Sequence, residues 1–597
     1  TDTTGNNNTA VGRIALYVNT SGSGNTAIGT ETLRNNTTAS DNTGVGYAAL
    51  SQNTTGTLNT AVGKGAGQLL TTGNDNTFVG DRAGNMVTTN GQNTFIGGRA
   101  GSQVTGQQNT ALGFFANYGA SVGNYNTSAG YFALKTATSG NYNCAYGHKA
   151  LQFSTSGYEN VAIGAHAGTN ITTGDNNVAV GDSALSNTTT ASVNVAVGAA
   201  ALNDNTTGSH NVGIGYEALA DNTTANNNVA VGSNALRVNT TGADNVAVGK
   251  NALDANTSAS FNTAIGHVAL TENTTGEYNT AVGKGALSAN TTASSNTAVG
   301  YHALDLNTTG THNTAVGTEA LDANTTANSN TAIGRSVLSE ATTGGLNTAV
   351  GAFCADAVTT GSENTAMGVS CFTDNTTGSN NTAIGRSAML NNTTASNNTA
   401  VGHQAFMTNT TGANNCAFGR SALDANTTGG SNNAFGESAL SNHTTGNDNN
   451  AFGVNALVTL TTGSNNCAFG RSALGFNTTA NNNSAFGHTA LNQNTTGTKV
   501  TGIGYQAGYS NTTGNSNTSV GYQALYANQT YSNNTAVGKS ALNATTNGGN
   551  TAVGSDAAEK LTSGSLNTAV GHLALKLATT ALANTAVGYF ALGNAVV

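Results

Sequence analysis

Proline and tryptophan are absent from all 597 residues, cysteine is limited to 5, and charged residues make up only 8% of the chain. Each scarcity excludes something. The length alone would suggest about four domains of ~150 residues. Four unrelated globular domains without one Pro or Trp, and with so little charge, would be very improbable. Disorder is disfavoured as well, because disordered chains go with high net charge and with Pro, Glu and Lys enrichment. A net charge of −9 gives no broad positive field for phosphate backbones, so no nucleic-acid partner is expected. No window approaches the ~18 consecutive apolar residues of a membrane-spanning helix, so no membrane insertion is expected in this segment. Five cysteines without paired spacing are not a disulfide framework.

What is present is a period. Words of the type Asn-Thr-Ala-Val-Gly recur from Asn8 to Asn584, and their first residue defines offset 0. The step is 17 residues throughout, except for two 16-residue steps that end at Asn109 and Asn550. Of 35 such anchors only Val500 is not Asn. The consensus reads N-T-A-V-G-x-x-A-L-x-x-N-T-T-G-x-x, with Gly and Ala often alternating at offset 14. A unit this short cannot bury an apolar face alone and must stack on its neighbours. Helical hairpin repeats need longer units, and Gly, Asn and Thr are poor helix formers. The spacing predicts an all-β fold: one continuous β-solenoid over residues 1–597, with one coil per repeat. At ~4.8 Å of rise per coil, the array would make a rod of roughly 170 Å. Both ends stop inside a repeat, so the chain is expected to be a segment of a longer fibre.

Three columns are expected to form the interior. Offset 3 carries Val62 and Val299, then a run of Phe418, Phe435, Phe452, Phe469 and Phe486. Offset 8 carries Leu202 and Leu304. Alternation along a strand would then turn offset 2, almost always Ala or Gly, toward an inter-coil turn or a subunit contact. Offset 11 is expected to point inward because it trades volume with offset 8. Where offset 8 is Gly67, Gly84, Gly101 or Gly168, offset 11 becomes Leu70, Val87, Val104 or Ile171. Ala355 with Val358 and Ala558 with Leu561 follow the rule, and Gly508 with Asn511 breaks it. The offset 0 asparagines, such as Asn59, Asn211, Asn313 and Asn415, are expected to stack as a hydrogen-bonded ladder. The offset 11 asparagines have two readings. They are a second ladder, or they are N-x-[ST] glycan acceptors such as Asn53, Asn205 and Asn239.

Chemistry-bearing residues fall into columns rather than constellations. No phosphate loop, zinc-protease helix, nucleophile elbow or calcium loop is present in the sequence, and neither an enzyme nor a cofactor is expected. The cysteines sit at offset 1 (Cys144, Cys416, Cys467) and offset 7 (Cys354, Cys371), where they read as small packed residues. Stacking leaves the Cβ atoms of Cys354 and Cys371 near 4.8 Å, wider than the ~3.8 Å of a relaxed disulfide. Cations, histidines and tyrosines gather at offsets 5 and 6. Tyr216, Lys250, His267, Lys284, Tyr301, Arg335, Arg386, His403 and Arg420 define an expected surface stripe. It reads either as a multivalent contact strip for glycans or anionic cell surfaces, or as a solvated corner. Threonines at offsets 12 and 13 raise a further alternative, ice binding.

At the words Asn-Thr-Ala-Val-Gly-x-x-Ala-Leu the sequence resembles the head repeats of YadA-like trimeric autotransporter adhesins and the repeat arrays of phage tail-fibre-like proteins. Ala61-Val62-Gly63 and Ala298-Val299-Gly300 match the adhesin core word. The family unit is usually about 14 residues, so the 17-residue unit here would carry a longer Asn-Thr-Thr-Gly turn. The resemblance implies a left-handed parallel β-roll in a homotrimer, on a cell or virion surface. The expected role is a structural extracellular fibre or adhesin shaft whose partner is itself, as a homotrimer or a head-to-tail filament. A self-assembling, glycan-coated matrix fibril is the alternative.

Overall fold

A computed structural model describes residues 4–119 and 121–595. The chain divides into two units, Thr1–Asn296 and Thr297–Val597. Each is a parallel β-solenoid with a 17-residue coil, and no helix occurs among the described residues. Every coil contributes one three-residue strand at offsets 1 to 3. They run from β1 (Thr9–Val11) to β17 (Thr280–Val282) in the first unit, and from β18 (Thr297–Val299) to β35 (Thr585–Val587) in the second. Successive strands pair in parallel and in register, as in Thr9↔Thr26, Ala10↔Ala27 and Val11↔Ile28. Only the short strand is regular. The other fourteen positions of each coil are turns, and they too bond from coil to coil. Leu202 N–H donates to the Ala218 carbonyl, and Thr206 N–H to that of Thr223.

The coil turns on residues with positive φ. The offset 4 glycine lies near φ +135°, as at Gly181 and Gly249. A Cβ at Gly249 would sit 2.4 Å from the Gly266 carbonyl oxygen, so no other residue fits this close approach. Three further positions, at offsets 6, 8 and 16, are left-handed with ordinary side chains. Glu217 (φ 53°), Leu219 (φ 56°) and Asn227 (φ 61°) mark them in one coil. Leucine rarely adopts this conformation. It does so here because Leu202, Leu219 and Leu304 are then completely buried.

The interior is made of offsets 0, 2, 7, 8, 11 and 14. The offset 8 leucines and the inward offset 11 column are as the volume exchange requires, with Leu70, Val87, Val104, Ile171, Val358 and Leu561 all fully buried. Offset 3 is not core, which reverses the expectation for Val62, Val299 and the phenylalanine run. Val62 is 37% exposed, Phe418 36%, Phe469 37% and Phe486 39%, while Val299, Phe435 and Phe452 are half-buried. The inward strand residue is the offset 2 alanine, as at Ala61, Ala298 and Ala417, each with no exposed surface. The reason is width. With Leu and Asn entering from the other sides, only a methyl group fits beneath the strand. Phe78 and Phe95 show the exception: they fit at offset 2 because Gly67, Gly84 and Gly101 vacate offset 8. A Cβ at Gly84 would meet the Phe78 ring at 2.5 Å, and one at Gly101 the Phe95 ring at 2.4 Å. Gly508, which keeps Asn511 at offset 11, is compensated by Leu491, whose Cδ2 lies 2.6 Å from where its Cβ would be.

Candidate functional site: ladders and outward columns

Two asparagine ladders organise each coil. At offset 0, Asn211 N–H donates to Asn194 Oδ1 (2.9 Å) and Asn211 Nδ2 to the Ala225 carbonyl (2.8 Å); Asn228 N–H then donates to Asn211 Oδ1 (2.9 Å). Asn59 and Asn415 repeat the pattern on Asn42 and Asn398, and Asn313 Oδ1 accepts from Asn330 N–H. One side chain thus ties its own turn and the next coil's backbone, which is why this column is nearly invariant along the chain.

At offset 11, Asn222 Nδ2 donates to Asn205 Oδ1 (2.8 Å) and to the Ala225 carbonyl (3.2 Å). This settles the two readings of the Asn-Thr-Thr words. Asn53, Asn205 and Asn239 have no exposed surface. Asn53 Nδ2 donates to Asn36 Oδ1 and the Gly56 carbonyl, and Asn239 Nδ2 to Asn222 Oδ1 and the Gly242 carbonyl. A glycan on that nitrogen would need both bonds broken, so the acceptor reading is corrected to a structural ladder. The offset 12 threonines form a third ladder: Thr206 Oγ1 donates to the Thr223 carbonyl and Thr223 Oγ1 to that of Thr240, each at 2.9 Å. Their hydroxyls are committed to the backbone, which weakens the Thr array as a water-ordering surface.

The second ladder has breaks, and they account for specific buried polar atoms. Asn53 Oδ1 has no partner because the next rung is Leu70; Asn324 Oδ1 has none because the next is Ala341. Asn426 Oδ1 faces His443, and Asn528 Oδ1 faces Thr545. His443 is fully buried and imitates Asn on one side, with Nε2 2.8 Å from the Gly446 carbonyl, while its Nδ1 has no partner. Burial holds the imidazole below its usual pKa.

The expected stripe at offset 5 lies on the surface. Tyr216, Lys250, His267, Lys284, Tyr301, Arg335, Arg386, His403 and Arg420 are all exposed. Contacts within it run along the solenoid: Arg420 pairs with Glu437 of the next coil, Arg335 lies over the Phe353 ring (5.0 Å), and Tyr505 stacks on Tyr522 (5.3 Å). The acids behind it sit in partly buried turns. Asp322 has its carboxyl pushed up to about 6, first by burial and then by Glu319 and Glu340. Among the described residues no group of three His, Cys, Asp or Glu side chains could hold a metal ion.

Cys354 and Cys371 form a disulfide between adjacent coils, with Cα atoms 4.9 Å apart. This corrects the expectation of two merely packed thiols. The Cα spacing falls inside the range that bridges accept, and side-chain rotation closes the remaining gap. Cys144, Cys416 and Cys467 are free and half-buried.

Sequence reasoning missed the outward face of the strands, formed by offsets 1 and 3. Its most apolar stretch is the stack Phe418–Phe435–Phe452–Phe469–Phe486, with centroid spacings of 5.0, 4.7, 4.4 and 5.0 Å and interplanar angles of 5–8°. The rings cover one another's faces and show their edges to solvent. A signal for this was in the sequence: Phe appears at offset 2 only beside glycine-bearing coils, as a cramped position requires, whereas five consecutive Phe at offset 3 need no compensation.

No protein-family model matches the chain, and comparison with curated proteins finds no match.

Proposed function

We propose that the chain is a structural fibre segment: an extracellular shaft, of the kind built by surface adhesins and tail fibres, whose contribution is stiffness and reach. The single observation that supports this reading is the commitment of three side-chain columns to bonds that run from coil to coil: offset 0 Asn, offset 11 Asn and offset 12 Thr. Such a column resists bending and stretching, because extension must break several bonds in each coil at once. The likeness of the Asn-Thr-Ala-Val-Gly words to adhesin and tail-fibre repeats supports the same role and a surface location. Within it, the offset 5 stripe, including Tyr216, Lys250, His267 and Lys284, is the contact strip, weak per residue and strengthened by repetition.

Electron microscopy of the purified chain tests the shaft. Rods of constant width with a ~4.8 Å axial repeat are expected; irregular or globular particles would remove the proposal. Replacing the four named stripe residues by alanine should lower retention on glycan- or anion-coated beads while the rods persist. Unchanged retention would remove the strip and leave the shaft.

A further inference from the structure

Arginine stands at offset 6 in two coils only, and they are adjacent: Arg82 and Arg99. Both backbones are left-handed there (φ 54° and 57°), so the two guanidiniums leave the same corner one rung, ~4.8 Å, apart. Like charges this close repel. Asp81 is the acid next to Arg82 in sequence, yet neither arginine belongs to an ion pair of the described residues. Elsewhere the same corner supplies its own partner. Glu31 at offset 6 meets Arg34 at offset 9 (3.6 Å), and His302 meets Asp305 in the same way (2.6 Å). Across from Arg82 and Arg99, offset 9 holds Asn85 and Ser102 instead of an acid.

The space between is a cavity of about 200 Å³. The two arginines line one side; Asn85, Ser102 and Gln103 line the other, with Tyr118 from the next coil. Its walls hold one another in place. Arg99 Cζ lies 5.5 Å from the Phe115 ring centroid, Phe115 packs edge-on against Tyr118 (4.7 Å), and Gln103 Nε2 donates to the Tyr118 hydroxyl (3.2 Å). Buried Ser102 donates from Oγ to Asn85 Oδ1 (3.3 Å), which leaves the Asn85 amide nitrogen to donate elsewhere.

We propose that this cavity is a binding site for a sugar that carries a sulfate or a carboxylate. The oxyanion takes the place of the missing acid: two guanidinium forks on successive rungs offer it parallel N–H donors, a geometry that suits planar carboxylate and tetrahedral sulfate alike. The neutral donors and acceptors of Asn85, Ser102 and Gln103 suit ring hydroxyls, and the Tyr118 ring gives an apolar wall. The volume lies below the ~300–1,000 Å³ of drug-sized sites, so the occupant is one ring with its charged group. The inference is independent of the fibre reading and of the offset 5 contact strip, none of whose residues lines this cavity.

The test titrates the full chain calorimetrically with glucose 6-sulfate, glucuronic acid, glucose and inorganic sulfate. At least one of the two acidic sugars should bind at one site per chain, about tenfold or more tightly than glucose or sulfate alone, and the better of the two identifies the oxyanion. Arg82→Ala and Arg99→Ala should each weaken that binding about tenfold, with circular dichroism unchanged. Lys499→Ala removes an exposed cation at offset 16, far along the chain, and should leave binding unchanged. The double variant Ser102→Ala, Gln103→Ala should erase the margin of the acidic sugar over inorganic sulfate. No binding of either acidic sugar, or inorganic sulfate bound as tightly as both, overturns the proposal. So do several equivalent sites per chain or an equal loss in Lys499→Ala, since either would mean diffuse attraction to surface cations.

Discussion

His443 interrupts the offset 11 ladder, and replacing it by asparagine should repair the break. In the wild-type chain two buried polar atoms go unpartnered there, His443 Nδ1 and Asn426 Oδ1. An asparagine at this rung would donate to Asn426 Oδ1 and to the Gly446 carbonyl, as Asn426 itself donates to Asn409 Oδ1 (3.1 Å) and the Gly429 carbonyl (3.0 Å). Its own Oδ1 would then face Leu460 and go unpartnered, so the net change is one orphan fewer. Each buried orphan costs about 1–3 kcal/mol, and the smaller side chain gives back part of that gain as lost packing. The expected outcome of His443→Asn is a stabilisation of about 1 kcal/mol, read as roughly fivefold slower amide hydrogen exchange across the coils of Asn426, His443 and Leu460. The pH dependence sharpens the test. Burial lowers the His443 pKa in the folded chain, so its contribution is intact above the unfolded value near 6.5 and is lost as pH falls below it toward the folded value. Wild-type protection in these coils should therefore drop on acidification, and the variant's should not. Faster exchange in the variant at neutral pH, or an unchanged acid response, would refute the ladder account of this site.

Three further outcomes are expected. Asn211→Leu strands Asn228 N–H and leaves the Ala225 carbonyl only its bond from Asn222 Nδ2, so it should destabilise its neighbourhood by about 1–3 kcal/mol, seen as exchange loss confined to adjacent coils. Asp322, whose folded pKa is raised to about 6, stabilises most when protonated; local protection should fall as pH rises from about 4 through 6, and Asp322→Asn should flatten that response. Thiol titration of the unfolded, unreduced chain should find three reactive cysteines, rising to five after reduction of the Cys354–Cys371 bond.

The period carried most of the architecture, because one deletion-tolerant register of asparagines leaves few ways to stack coils. The volume exchange between Gly67 and Leu70, or Gly168 and Ile171, was enough to aim offset 11 inward, but it left two readings of Asn53, Asn205 and Asn239 between which only their burial and bonding in the structure chose. The strand was read inside out for a physical reason. Large β-branched residues usually mark the buried face, and Val62 obeys the alternation while violating that preference. The turn chemistry was also hidden, since nothing marks Leu202 or Glu217 as left-handed until the closure of the coil forces them to be so. The disulfide was misjudged by measuring along the stacking axis alone. The stripe was placed on the surface correctly, because charge and tyrosine have nowhere else to go in so narrow an interior.

In-register pairing has a genetic consequence. Since Thr9 sits on Thr26 and Val11 on Ile28, and the pattern repeats without offset, excising one whole repeat joins equivalent rungs and leaves no scar. The two shortened repeats before Asn109 and Asn550 lose their residue in the Asn-Thr-Thr-Gly turn, and both anchors still donate their backbone N–H to Oδ1 of the preceding anchor Asn at 3.0 Å. Slippage in a gene for this chain by blocks of seventeen codons would therefore change the number of coils while preserving every column of the stack, so that length can drift between generations without breaking the register.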